Sequence, residues 1–335
     1  MFDNNNHTAP RHQMSSLKSS VRQAVHTVGG MRVFRIMNRN GVRVLMYHRF
    51  SEDPEGLGWQ CEHIRHNYHP ISLDSYAEAI SKGESVPPES LIVTVDDGYR
   101  DFLHAHAVFA RFDIPATVYL VSDFIDGKIW LWWNQLEYAF LNSTHNSLRF
   151  NLEEKEIAIS LDGPEQRLTT CARIAEAMIK VEDSERLSLV KKIPELLEVD
   201  IPSQPPPRWA PLTWSEVRAL AQQGVSFGAH TKTHPILSRL NEPGKQQEEI
   251  AQSKLRIEEE LGMKVRHFCY PNGTYEDFDD HSIELVRNSG YQTATTTERG
   301  LNFSPYQPFM LRRLGVEPNL PKNYFTELLA GARKE

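Results

Sequence analysis

The sequence has few cysteines and no long apolar segment. Its three cysteines are widely spaced and odd in number, which predicts neither a disulfide framework nor a CxxC metal site. No run of about 18 consecutive apolar residues occurs, and residues 1–40 show neither the apolar region nor the cleavage site of a secretory signal. We therefore expect a cytoplasmic protein in a reducing compartment, without a transmembrane helix.

An excess of basic residues is also missing from the chain as a whole. The 335 residues carry a formal net charge of -7, which argues against a protein that binds nucleic acid. The hydrophobic fraction of 40% and the charged fraction of 24% are close to globular averages. This balance is ordinary for an enzyme that acts on neutral substrates.

The first fifty residues depart from this average. No Asp or Glu occurs between Asn4 and Ser51, whereas eight Lys and Arg residues do, and apolar residues are interleaved with the later ones. We predict that residues 1–40 form a basic tail and a short helix that packs on the domain. The alternative is a basic amphipathic segment that makes peripheral contact with the inner face of the membrane.

Short apolar runs alternate with helical patterns along the rest of the chain. The runs lie at residues 42–47, 91–95, 116–121, 225–228, 265–269 and 291–296. This alternation predicts an α/β fold with mainly parallel strands in a sheet or barrel. We assign residues 41–320 to this domain, residues 141–210 to a helical insertion with a Pro-rich end, and residues 321–335 to a C-terminal helix or tail.

Two helices carry clear start and stop signals. A capping-box pattern begins at Thr213, and Gly224 is suited to a left-handed stop. A second helix is predicted at residues 248–261, before Gly262. Its buried stripe would consist of Ile250, Leu255, Ile257 and Leu261.

Two adjacent carboxylates, Asp96 and Asp97, follow the apolar run at residues 91–95. Active sites of strand–helix folds gather where strands end, and two neighbouring carboxylates are costly unless a positive charge lies beside them. A divalent metal would supply that charge, with one carboxylate as its ligand and the other free to take a proton. The alternative is an Asx turn that caps the next helix.

Two histidines, His230 and His234, follow a later apolar run. Their spacing of four would place both rings on one side of a helical turn, within reach of one ion. Two histidines and one carboxylate leave coordination positions open, as catalytic zinc requires. Two surface histidines would be the alternative without the acidic pair.

These two segments resemble the first two motifs of the polysaccharide deacetylase family, carbohydrate esterase family four. The motifs T-[FV]-D-D-G and H-[ST]-x-x-H-P are present here as TVDDG and HTKTHP, and the likeness extends from residue 42 to residue 316. The resemblance implies a distorted (β/α) barrel, with Asp96 as general base. It assigns Asp97, His230 and His234 as ligands of one divalent metal, with zinc as the default and nickel, cobalt or iron as alternatives.

The third family motif, R-x-P-[YF], departs from the pattern here. The matching stretch is CYPNG, so the resemblance assigns the backbone N–H of Asn272 to the oxyanion and places Tyr270 and Pro271 beside the substrate. Cys269 stands where the family has an arginine that orients the base. Arg266 and Arg100 are two residues that could substitute for that arginine.

The general acid also departs from the common family arrangement. The late L-x-H strand motif is missing, because residues 309–314 read FMLRRL, whereas His48 ends the first apolar run. This order resembles the circularly permuted subgroup that acts on bacterial exopolysaccharides, and it assigns His48 as general acid. A hydrogen-bonded core histidine is the alternative interpretation.

Three weaker features complete the candidates. Trp132 and Trp133, with Trp130 nearby, could stack on sugar faces or fill the core. Arg312 and Arg313 could meet an anionic group of the substrate or pair with acidic neighbours. A set of histidines with a spacing of three is interpreted as surface residues, namely His63, His66 and His69.

The resemblance implies hydrolysis of N-acetyl groups from amino sugars of a bacterial polysaccharide or its precursor. The expected partner is an acetylated amino-sugar glycan, with no nucleic acid, and the oligomeric state stays open. Two alternatives use the same residues: an O-acetyl esterase and a non-catalytic carbohydrate-binding protein. An Fe(II) oxygenase with two histidines and one carboxylate shares the ligand set but lacks a recognisable co-substrate site.

Overall fold

The computed structural model describes residues 30–51, 54–153 and 155–333. Ten strands occur within these residues. In chain order they are β1 (Arg43–Tyr47), β2 (His69–Pro70), β3 (Ser90–Val95), β4 (Ala116–Leu120), β5 (Ser147–Leu152), β6 (Lys155–Ser160), β7 (Ser226–Ala229), β8 (His267–Cys269), β9 (Thr293–Arg299) and β10 (Leu311–Gly315).

Twelve α-helices occur within the same residues, with short 3-10 turns at Pro207–Trp209 and Leu237–Arg239. The helices are α1 (Gly30–Met37), α2 (Glu55–Asn67), α3 (Leu73–Ser81), α4 (Phe102–Arg111), α5 (Ser122–Ile125), α6 (Trp132–Asn142), α7 (Pro164–Met178), α8 (Asp183–Leu196), α9 (Trp214–Gln222), α10 (Lys245–Leu261), α11 (Asp280–Asn288) and α12 (Lys322–Ala330).

Seven parallel strands close into a barrel. Their order is β1, β3, β4, β7, β8, β9 and β10, and β10 pairs with β1 to complete the ring, while β2 adds a short parallel pairing at the start of β3. Side chains fill the interior and helices cover the outside, so β3 and β4 are buried along their whole length. The predicted α/β class and the distorted barrel are confirmed.

The insertion between α6 and α9 is more than helical. It contains the antiparallel hairpin β5–β6 beside α7 and α8, and its own apolar core includes Leu148, Phe150, Ile174 and Ile193. The purely helical prediction for residues 141–210 is therefore wrong in this part. The period-two alternation that buries Leu148 and Phe150 spans only six residues, which is too short to stand out beside long helical patterns.

The two helices with clear signals form as predicted, with one difference. Thr213 and Glu216 make a reciprocal capping box at the start of α9, and Gly262 ends α10 in a left-handed conformation. Leu255, however, is 56% exposed, so its place in the buried stripe was wrong. The buried face of α10 follows Ile250 and Ile257, seven residues apart, and Leu255 points away from it.

The two ends of the described chain lie together. Helix α1 contacts α12, and the side chain of Asn38 donates a hydrogen bond to the carbonyl of Ala330. Residues 1–29 of the predicted basic tail lie outside the described residues. Within the described ranges, no helix is long and apolar enough to cross a membrane.

Candidate active site

The barrel register brings the candidate residues together. Tyr47 of β1 lies beside Val95 of β3, so His48 and Asp96 follow at the same level. Leu120 of β4 likewise pairs with Ala229 of β7, directly before His230. These polar residues meet at one end of the barrel because all of these strands are parallel.

A cavity of about 410 Å³ opens at this end. Most of the predicted site residues line it, namely His48, Asp96, Asp97, Trp132, Trp133, His230, His234, Tyr270 and Asn272. Pro271 is buried behind the wall and Arg312 lies outside the cavity, so the structure places neither of them at its surface. Ala175 and Ile179, from α7 and its C-terminal end, add a wall that sequence analysis missed.

Asp97, His230 and His234 form a compact group of potential ligands. The Nε2 atoms of the two histidines are 3.2 Å apart, and Oδ1 of Asp97 lies 3.6 Å from Nε2 of His230 and 3.7 Å from Nε2 of His234. Ligands of tetrahedral zinc at about 2.0–2.1 Å are separated by roughly 3.4 Å. The three side chains therefore have the spacing of one side of such a site.

The protonation of this group also fits a cation. Nδ1 of His230 lies 2.7 Å from the carbonyl oxygen of Cys269 and donates to it, which leaves Nε2 with its lone pair towards His234. Burial, together with the neighbouring His230, lowers the pKa of His234. Burial raises the pKa of Asp97 to about 7. Two imidazoles and a destabilised carboxylate that face one point are a donor set that a divalent cation stabilises.

The loop that carries the two histidines is not the predicted helical turn. Residues 230–236 have no regular structure, and both Thr231 and His234 have positive φ angles, 64° and 60°. The buried carboxylate of Glu249 on α10 accepts hydrogen bonds from the backbone N–H groups of Lys232 and Thr233, at 2.9 and 2.8 Å. Glu249, which sequence analysis missed, thus stabilises the turn that brings both rings together.

Asp96 is held by an arginine other than the two proposed. Arg313 of β10 forms a bidentate pair with it, from Nη1 to Oδ1 at 2.7 Å and from Nη2 to Oδ2 at 2.8 Å. Arg266 pairs with Asp74 instead, and Arg100 pairs with Glu216, so both proposed substitutes were wrong. Arg313 lies fully buried at an inward-facing strand position, where an arginine requires a carboxylate partner.

This pairing sets the ionisation of Asp96. Burial opposes its charge, yet Arg313 and then His48 hold the pKa of Asp96 well below its usual range. Cys269, which replaces the family arginine, receives a hydrogen bond from Nη2 of Arg313 at 3.1 Å. Burial raises the pKa of the Cys269 thiol, so it remains protonated. The second possible ligand group, Asp96, His230 and Cys269, is therefore a poorer cation site.

His48 lies on the other side of Asp96 from the ligands. Its Nε2 is 3.6 Å from Oδ2 of Asp96, and its side chain is 45% exposed to the cavity. Removal of solvent from the imidazole by burial lowers the pKa of His48, and the negative charge of Asp96 acts in the opposite direction. This half-exposed ring does not match the alternative of a satisfied core histidine.

The cavity wall at Asn272 presents backbone to the site. Asn272 has a positive φ of 57°, and Gly273 follows with 72°. Among the described residues, no group accepts a hydrogen bond from the Asn272 N–H. A free amide at a left-handed turn is suited to an oxyanion.

The opposite wall is aromatic. The ring of Trp133 packs against His234 with centroids 4.6 Å apart, and its Nε1 donates to the hydroxyl of Tyr99 at 3.1 Å. Tyr99 in turn donates to Asn134 at 2.6 Å. Trp130 packs on Trp209 outside the cavity, and Trp132, which lines the cavity, also belongs to the apolar core of the insertion.

Of the weaker polar candidates, Arg313 pairs with an acidic neighbour, Asp96, whereas the others do not join the site. The guanidinium of Arg312 is exposed and donates to the hydroxyl of Tyr275. His66 and His69 are exposed, as the surface interpretation of the three spaced histidines predicts. His63 is nevertheless partly buried and stacks on Trp59.

Comparison with known proteins points in one direction. The sequence model of the family described as polysaccharide deacetylase matches residues 185–294, which include His230, His234 and Asn272. "Putative polysaccharide deacetylase YxkH" of Bacillus subtilis strain 168 is 30% identical over 114 residues, 34% of this chain and 39% of that protein. The chain thus covers about two fifths of the length of this curated relative.

Solved structures share the fold over most of the chain. The deacetylase PplD of Streptococcus pyogenes, in complex with acetate, is 17% identical over 88% of this chain and 99% of its own, with a TM-score of 0.55. IcaB from Ammonifex degensii is 16% identical over 88% and 97%, with a TM-score of 0.54. The BpsB deacetylase domain of Bordetella bronchiseptica is 16% identical over 83% and 96%, with a TM-score of 0.53.

Proposed function

We propose that this protein removes N-acetyl groups from amino sugars of a polysaccharide or its precursor. Residues 185–294 match the polysaccharide deacetylase family, which supports this reaction. One observation carries the proposal. The ligand group Asp97, His230 and His234 shares a cavity with the ionised Asp96–Arg313 pair. A cation site beside an ionised carboxylate is the minimum that hydrolysis of an unactivated amide requires.

Asp97, His230 and His234 would hold the metal, with zinc as the default and nickel, cobalt or iron as alternatives. When bound, a divalent cation supplies a Lewis acid that polarises the acetyl carbonyl and increases the acidity of water. Because no Lys or Arg of the described part of the chain pairs with Asp97 as Arg313 pairs with Asp96, Asp97 is the carboxylate suited to the cation.

Asp96 serves as general base in this proposal. Its low pKa keeps it ionised at neutral pH, and the two hydrogen bonds from Arg313 fix its orientation. A carboxylate in this state can accept a proton from the attacking water. The N–H of Asn272 stabilises the negative charge that develops on the carbonyl oxygen.

His48 serves as general acid. Its lowered pKa makes the protonated ring a strong proton donor to the departing amine. The histidine precedes the other site residues in the chain, and the late strand β10 carries Arg313 instead of a histidine. This order supports placement in the permuted subgroup that acts on exopolysaccharides.

The charges of the cavity favour an uncharged sugar. Asp96 is compensated by Arg313, Arg49 by Asp101, and Glu137 by Arg208. Trp133, which is partly exposed in the cavity, offers aromatic surface for the apolar face of a sugar ring. A cavity of about 410 Å³ is at the small end of ligand pockets, which suits a short glycan segment or a cytoplasmic precursor.

Acetate release from N-acetylated and O-acetylated amino-sugar oligosaccharides tests the proposal. The zinc-loaded protein should act on the amide, and Asp96→Asn should lower kcat/KM by roughly 10²–10⁴-fold. Asp123→Asn is the matched control, because this buried carboxylate pairs with Lys128 outside the cavity. Full activity of Asp96→Asn would exclude this mechanism, and release from O-acetyl groups alone would establish the esterase instead.

A further inference from the structure

Helix α1 presents its apolar side to solvent. Val33, Ile36 and Met37 are 58%, 51% and 73% exposed, and no residue of the helix is buried. Spacings of three and four residues place these side chains on one face of the helix. A contiguous exposed apolar face on a soluble domain commonly marks an interaction surface.

Arg35 of the same helix points towards the protein. Nε of Arg35 lies 2.9 Å from Oε1 of Glu89, and its guanidinium also donates to Asn67. The side chain of Arg35 is only 22% exposed. An ordinary surface helix packs its apolar side against the core, whereas α1 turns its apolar side to solvent.

The charge around this face is basic. Arg32 and Arg39 are exposed beside the stripe, while Glu89 is compensated by Arg35. The sequence from Asn4 to Ser51 contains no Asp or Glu, and of its eight Lys and Arg residues two are engaged at the barrel strands, namely Arg43, which is buried, and Arg49, which pairs with Asp101. A partner that covers the stripe would thus meet positive charge at its edges.

We propose that α1 docks the protein on an anionic lipid surface. Val33, Ile36 and Met37 enter the boundary between headgroups and acyl chains, and Arg32 and Arg39 meet lipid phosphates. A single helix of this length gives weak, reversible binding rather than permanent anchoring.

The docked orientation leaves the candidate active site accessible. Helix α1 leads into the N-terminal end of β1, whereas the site lies at the C-terminal ends of the barrel strands. This proposal stands independently of the reaction at that site.

Flotation of the full chain with lipid vesicles tests the proposal. The protein should bind vesicles that contain phosphatidylglycerol at least about tenfold more strongly than vesicles of phosphatidylcholine alone, and salt should weaken the binding. Equal binding to both vesicle types, or no binding to either, would overturn the proposal.

Two variants assign the binding to α1. The triple variant Val33→Ser, Ile36→Ser, Met37→Ser should lose at least about tenfold in vesicle affinity. The control variant Leu255→Ser, Met263→Ser removes two side chains of similar exposure, 56% and 55%, and should bind as the parent does. Equal loss in both variants, or no loss in the first, would contradict the assignment.

The double variant Arg32→Gln, Arg39→Gln keeps the apolar stripe and should lose only the preference for anionic vesicles. Molecular mass as a function of concentration separates the lipid surface from a second copy of the chain. If the parent protein dimerises, the triple variant does not, and the parent does not bind vesicles, then the apolar face of α1 is a homodimer contact and the membrane proposal is wrong.

Discussion

The two ends of the barrel both contain a carboxylate with a strongly lowered pKa, but they differ in how their polar groups are satisfied. At the N-terminal end, Asp74 accepts hydrogen bonds from Ser226 and Arg266 and contacts His267, whose other nitrogen is bonded to Thr293. None of these residues has a positive φ angle. Every partner here stabilises the ionised Asp74, so this end contributes to folding.

At the C-terminal end, satisfied and unsatisfied groups lie side by side. Asp96 has two hydrogen bonds from Arg313, whereas Asp97 is buried with a raised pKa and the Nε2 atoms of His230 and His234 lie 3.2 Å apart. Asp97 and His234 also have positive φ angles, 74° and 60°. Strain and uncompensated charge concentrate where a ligand can relieve them, which distinguishes a functional end from a structural one.

Arg313→Met should have the largest effect. It leaves the buried Asp96 without its partner, and the expected loss of stability is about 3–5 kcal/mol. Misorientation of the base should lower kcat/KM by roughly 10²-fold. Chemical denaturation and deacetylation kinetics measure the two effects, and a stable, fully active variant would contradict the assignment of Arg313.

The pH profile sharpens the same prediction. The lowered pKa of Asp96 contributes stability that is present above the unfolded pKa of about 3.9 and is lost as pH falls towards the folded value. In Arg313→Met the pKa of Asp96 rises, so the acidic limb of kcat/KM should move to higher pH. Arg313→Lys should restore part of this shift.

Asp97→Asn should change how the metal-free protein responds to pH. The folded protein holds a proton on Asp97 up to about pH 7, whereas the unfolded chain loses it near pH 3.9. The free energy of unfolding of the metal-free parent should therefore decrease as pH rises through this window. Asp97 contributes at most ~1.4 kcal/mol per pH unit to this decrease.

Asp97→Asn should remove that contribution and also the stabilisation by added zinc. Thermal melting with and without zinc, at a series of pH values, measures both. Identical pH dependence in the parent and the variant would contradict the raised pKa of Asp97.

Glu249→Gln should weaken metal binding without unfolding the protein. Both backbone N–H groups donate to Oε2 and the Thr233 hydroxyl donates to Oε1, so the neutral amide keeps at most one accepting oxygen and loses the negative charge that strengthens these hydrogen bonds. The histidine loop is then held less firmly. A decrease in zinc affinity of roughly 10–100-fold is expected, as for other residues that orient ligands.

Competition with a chelator measures the affinity. Glu248→Gln is the matched control, because Glu248 precedes Glu249 on α10 but pairs with Lys232 and Lys245 at the surface. Equal zinc affinities of the two variants would show that Glu249 does not support the metal ligands.

Asp74→Asn should have the smallest effect and no effect on the chemistry. Its ion pairs are partly exposed, so we expect a loss of about 1–2 kcal/mol in unfolding free energy. The loss should be fully present above the unfolded pKa of about 3.9 and should decrease as pH falls from there towards the lowered folded pKa of Asp74. A changed kcat would mean that the two ends of the barrel are coupled.

Local patterns determined much of this protein from the sequence alone. Apolar runs that end in His48, Asp96 and His230 marked three barrel strands, because strands buried on both faces must be apolar along their length. The two motifs predicted that Asp96, Asp97, His230 and His234 lie together, and all four line one cavity. The short alternation of the β5–β6 hairpin was missed because six residues give too weak a periodic signal.

Only the tertiary structure decided which residues support these groups. Arg313 is 217 positions from Asp96, and Glu249 reaches the histidine loop from a separate helix. Barrel closure and helix packing create both contacts, and nothing in the neighbouring sequence encodes them. The outward apolar face of α1 is likewise set by the pairing of Arg35 with Glu89, a long-range contact that local amphipathicity does not determine.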